Sequence, residues 1–76
     1  MADKVIQLAF PGFPPTVRVK YEQTKGAQGT CYIYQVGTGA NEIGHITLHA
    51  DGSLHKYGIC SNLSDRDAKR LVLGQV

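Results

Sequence analysis

The sequence has little of most things that would announce a chemistry. Its 76 residues include two cysteines, Cys31 and Cys60, so at most one intrachain bridge is available and a disulfide framework is excluded. Eight basic and six acidic residues lie scattered along the chain, for a formal net charge of +2 and no block of like charge. That is well short of the basic footprint of a dedicated nucleic-acid binder, although it allows an anionic partner. No apolar run approaches the roughly 20 residues of a membrane-spanning helix, so no membrane association is expected. The opening Met-Ala-Asp-Lys leads directly into strand-like sequence, without a basic n-region and apolar h-region. A cytoplasmic location is therefore expected, and in that reducing compartment the two cysteines are expected as thiols inside apolar runs. Repeats, linkers and low-complexity tracts are missing too, and residues 1–76 are expected to make one small domain. A chain this short sits near the lower limit at which a hydrophobic core alone suffices, so a homodimer is one expected source of extra support.

What is present is strand periodicity. In Lys4–Phe10 (KVIQLAF), Ile6, Leu8 and Phe10 share one side and Val5, Gln7 and Ala9 the other, as in a mostly buried strand. The PGFPPT segment interrupts it, since Pro14-Pro15 enforces extended backbone without N–H donors. Val17, Val19 and Tyr21 then alternate with Arg18 and Lys20 in the clearest half-buried pattern of the chain. EQTKGAQG has turn composition. The following TCYIYQVG is apolar on both sides, with Cys31, Ile33 and Gln35 opposite Thr30, Tyr32, Tyr34 and Val36, which predicts a central strand covered on both faces.

The stretch HITLHADGSLH gathers all three histidines within residues 45–55. Ala50-Asp51-Gly52 fits a three-residue hairpin loop, a type I turn closed by Gly52 in the left-handed region. In that register Leu48 faces Leu54, Ile46 joins them on the core side, and His45, Thr47, His49, Ser53, His55 and Tyr57 share the other side. Lys56 falls on the apolar side, a misfit tolerable near an edge where its stem can snorkel. At the C-terminal end, Ser64 reads as a helix N-cap with Asp67 at the third helical position, and Leu63 is placed to staple onto Ala68. Asp65 and Asp67 precede Lys69 and Arg70 in the sense that suits the helix dipole, and Gly74 is the stop signal. Ala68, Leu71 and Val72 give one apolar stripe to lay on the sheet. The expected fold is α+β: an antiparallel sheet of about five strands, or a partly closed barrel, with one C-terminal helix packed on it.

Candidate sites are few. His45 and His49, four residues apart on one strand, are separated by about 13 Å and cannot share an ion. His49 and His55 are diagonal neighbours across the hairpin and could share a metal if other ligands came from elsewhere. That leaves a histidine-based metal-binding domain as one alternative, although solvent-facing strand histidines are the simpler reading, and no cofactor is expected. Ser53 and His55 lie about 6–7 Å apart along one strand and make no dyad. Neither cysteine has a local base or oxyanion donor, so no catalytic residue is expected and the chain is read as a non-enzyme. Gly39-Ala-Asn-Glu-Ile-Gly44 has P-loop spacing, but His45 stands where the lysine should be and strand sequence follows, so these read as turn glycines. Pro11 and Pro14 form a PxxP spacing that reads as a connector carrying Phe13 over one end of the core. Asn62-Leu63-Ser64 has the form of a glycosylation sequon and reads as the helix approach.

The remaining chemistry lies on a surface. Arg18, Lys20, His45, His49, His55 and Tyr57 form the candidate binding set, on one sheet face if the second strand shares the side of the hairpin histidines. A His, Thr and Tyr-rich face or an unpaired edge suits a non-catalytic adaptor or inhibitor that binds a protein partner. The alternative is nucleic acid, stacked on Tyr and His and held by Arg18 and Lys20.

Overall fold

The computed structural model describes residues 3–10, 12–23, 25–37 and 41–75. Five strands pair in chain order, every neighbour antiparallel: β1 (Asp3–Gln7), β2 (Thr16–Glu22), β3 (Ala27–Gln35), β4 (Glu42–His49) and β5 (Leu54–Gly58). β1 and β5 are the two edges, so the sheet is open and not closed into a barrel. A single 3₁₀ turn (Ile59–Asn62) leads into the helix α1 (Asp65–Val72), which lies on β3, β4 and β5. The α+β sheet with one C-terminal helix is the architecture that the periodicity predicts.

The two faces separate by parity. Val17 and Val19 of β2, Cys31 and Ile33 of β3, and Ile46 and Leu48 of β4 point inward and are fully or almost fully buried. Ala68, Leu71 and Val72 of α1 close over them, with Cys60 and Leu63 filling the approach. Each fully buried Val, Ile or Leu contributes roughly 1.5–3 kcal/mol. An eight-residue helix is too short to hold by propensity, so this burial is what fixes α1. Its ends are also satisfied: Ser64 Oγ accepts from the Asp67 N–H at 3.2 Å. At the other end Gly74 has φ 72°, and the N–H groups of Gly74 and Gln75 return to the carbonyls of Leu71 and Arg70 at 3.1 and 2.8 Å. That is the glycine-terminated C-cap expected of the sequence. Leu63 and Ala68, the expected staple pair, are both buried.

The hairpin β4–β5 has the expected register, with Leu48 opposite Leu54. Gly52 adopts φ 92° and its N–H donates to the His49 carbonyl at 3.0 Å, while the His49 N–H donates to the Ser53 carbonyl at 2.8 Å. Asp51 Oδ1 accepts from the Ser53 hydroxyl and N–H at 2.7 and 2.9 Å, and these bonds hold its carboxyl below the usual range. Lys56 does point to the inner side, opposite Ile46. It escapes along the β5 edge, where Nζ donates to the Leu63 carbonyl at 2.9 Å and to Asp65 Oδ1 at 3.0 Å.

Five expectations need correction. β1 ends at Gln7 instead of Phe10, because Gln7 pairs with Thr16 and the prolines before Thr16 offer no donors to extend the ladder; one bond, Leu8 N–H to the Pro15 carbonyl, follows. Val5 is 62% exposed, since α1 covers one face and β1 lies at the edge. β3 starts at Ala27, inside the stretch that reads as a turn, and its outer side is only partly covered, with Val36 beyond its end exposed. Gly44 is no turn glycine: it lies buried within β4, opposite Gly58, above the Cys60 sulfur. Phe13 does pack over the core with Phe10, their rings edge-on at 5.7 Å. Pro11 and residues 38–40 lie outside the described residues.

Candidate binding face

The strand registers line up the outward residues in rows across the sheet. One row runs Lys20, Tyr32, His45, Tyr57 across β2 to β5, and a second sets Arg18 beside Tyr34 and Tyr34 beside Glu42. A third places Glu22, Thr30, Thr47 and His55 together, with Thr30 and Thr47 hydroxyls 3.3 Å apart. α1 packs on the opposite face, so this one is left to solvent.

His45 is the hub. Its ring stacks on Tyr57 with centroids 4.9 Å apart and planes at 17°, meets Tyr32 at 5.7 Å, and meets His55 at 5.5 Å. Its Nδ1 lies 2.6 Å from Glu42 Oε1. An ionised carboxylate can only accept, so Nδ1 carries the proton, and in the neutral ring the other nitrogen, Nε2, is the one left with its lone pair. Arg18 Cζ sits 4.5 Å over the centre of the Tyr34 ring, a cation–π contact. Lys20 Nζ lies 3.4 Å from Glu22. The Tyr32 phenol titrates above the usual tyrosine value, first through partial burial and then through the Glu22 and Glu42 carboxylates.

Five of the six candidate residues thus converge. Arg18, Lys20, His45, His55 and Tyr57 lie together, whereas His49, on the same side of β4 by parity, stands apart at its end, exposed beside a groove of about 440 Å³ lined by Gly26, Ala50, Asp51 and Ser53. The histidine contact is His45 with His55, not His49 with His55, because a twisted sheet brings one of the two cross-strand diagonals together. Tyr32, Tyr34 and Glu42 complete the face and were not among the candidates. The parity of Tyr32 and Tyr34 was visible in the sequence, but Glu42 has the core-side parity of Ile46 and Leu48 and joins the face only through the register shift that pairs it with Tyr34. Among the described residues, no group of three or more His, Cys, Asp or Glu gathers as a metal site. Cys31 and Cys60 are free thiols, both buried, and that burial pushes each up to about 12, so neither offers a thiolate at neutral pH.

Among the described residues no helix is long and apolar enough to cross a membrane. Compared with protein-family models, with curated proteins and with solved structures, the chain matches none.

Proposed function

We propose that this protein is a non-catalytic binding module that engages a protein partner through the outer face of its sheet. The observation that carries this reading is the aromatic row Tyr32–His45–Tyr57, flanked by Arg18 on Tyr34, on the side that α1 leaves uncovered. Aromatic rings with polar tips and an arginine are the residue types that protein interfaces concentrate at their centres. Tyr57, 56% exposed at the β5 edge, is the natural anchor. Charge favours protein over nucleic acid: the cations Arg18 and Lys20 are matched in number by Glu22 and Glu42, which leaves no basic stripe for a phosphate backbone.

Single-stranded nucleic acid is the second reading, supported by the convergence of Arg18, Lys20, Tyr32 and Tyr34. Native mass spectrometry with short single-stranded and duplex oligonucleotides at low and moderate salt, beside quantitative capture with Tyr57→Ala and Arg18→Ala variants, separates the two. A protein ligand retained by the wild type and by Arg66→Ala on the exposed side of α1, but lost from the face variants, supports the proposal. A salt-sensitive oligonucleotide complex lost with Arg18→Ala transfers it to nucleic acid. Capture indifferent to the face substitutions sinks both.

A further inference from the structure

We propose that His45 and His55 form a two-imidazole chelate for a divalent transition-metal ion of the Zn²⁺, Ni²⁺ and Cu²⁺ class, completed by water. Neutral imidazoles suit these ions, and harder ions such as Mg²⁺ and Ca²⁺ prefer oxygen. The separation of the rings is the decisive observation. A nitrogen bound at about 2.0–2.1 Å puts the ring centre about 3.2 Å from the ion, so two rings around a tetrahedral ion have centres about 5.2 Å apart. The His45 and His55 centroids are 5.5 Å apart. Because Glu42 and Tyr57 hold the His45 ring, the adjustment to a shared ion falls to His55, through rotation about its Cβ–Cγ bond, a soft torsion in histidine. His55 is the exposed partner and has room to turn.

Glu42 prepares the other ligand. By accepting from His45 Nδ1 at 2.6 Å it fixes the tautomer, orients the ring and leaves Nε2 as donor, as second-shell carboxylates do at histidine–metal sites. Tyr57, stacked on His45, limits its rotation. His49 takes no part, since it is four residues along the same strand from His45 and too distant to share an ion. The buried thiols of Cys31 and Cys60 do not compete in the folded protein.

The test is titration of the full chain with Zn²⁺ and, separately, Ni²⁺, followed by calorimetry and by the imidazole proton resonances. The expected result is saturable 1:1 binding that shifts the His45 and His55 ring signals and is reversed by chelator. His55→Ala, at an exposed position, should weaken it at least tenfold, Glu42→Gln by a smaller factor, and His49→Ala by less than twofold. Wild-type affinity in His55→Ala, loss of binding in His49→Ala, or absence of saturable binding to the wild type would overturn the assignment. Thermal denaturation of each variant without metal separates lost ligation from lost folding.

Discussion

Gly44 and Gly58 face each other across β4 and β5 with their backbones in contact. A Cβ on Gly58 would strike the Ile43 carbonyl oxygen and come within 2.9 Å of the Gly44 Cα, and one on Gly44 would lie 2.8 Å from the Tyr57 carbonyl oxygen and 3.1 Å from Cys60 Sγ. Gly58 also holds φ 65°, ψ −136°, a conformation in which a side chain is strained. This close approach lets the chain leave β5 and fold its 3₁₀ turn beneath the sheet, which brings Cys60 into the core and starts α1 on the correct side.

Gly58→Ala should therefore combine backbone strain with a steric clash and cost about 2–4 kcal/mol. Gly26→Ala is the control: its φ is 84° but nothing lies within 4 Å of the added Cβ, so only strain of about 1 kcal/mol is expected. Urea denaturation of the two variants measures the difference, and equal losses would contradict the packing explanation.

Lys56 ties the edge strand to the start of the helix. Lys56→Ala removes both its bonds, to the Leu63 carbonyl and to Asp65, and leaves a part-buried carbonyl without that donor, for a loss of about 1–2 kcal/mol. Asp65→Asn should cost less than about 0.5 kcal/mol, since the Asp65 side chain is 83% exposed and its pairing is screened by water. If the two variants lost the same stability, the carbonyl bond would not be the important one.

Alkali should unfold the protein through its thiols. Cys31 and Cys60 are raised from 9.0 to about 12, chiefly by burial, so the unfolded chain releases these protons first. Their contribution is fully present below pH 9 and falls as pH rises towards 12, by on the order of 1 kcal/mol per pH unit for each thiol. A Cys31→Ala/Cys60→Ala variant, although less stable at neutral pH, should show a flatter decline between pH 9 and 11 in chemical denaturation. An unchanged slope would mean that other groups govern it.

The elements legible in the sequence are those fixed by local rules. The β4–β5 register follows from parity and from Gly52, and α1 follows from Ser64, its apolar stripe and Gly74. The 3₁₀ turn was not legible, because Ile59–Asn62 carries no local signal and is placed by the Gly44–Gly58 contact between two strands. The first residues of β3 were hidden for a similar reason: Ala27-Gln28-Gly29 has turn composition, and pairing with β4 draws it into the sheet. Most of the face could be listed from parity alone. The central position of His45 could not, since it depends on which diagonal the twist closes and on Glu42 reaching forward three residues to its ring.

Photocrosslinking gives the sharpest test of a protein ligand on the outer face. A photoreactive phenylalanine derivative placed at position 57 on the outer face, or at position 66 on the exposed side of α1, is irradiated in lysate from the source cells. A discrete, nuclease-resistant protein adduct is expected from position 57, and none of that mass from position 66. The same adduct from position 66 alone, or a position-57 adduct that nuclease removes, would contradict a protein ligand on that face.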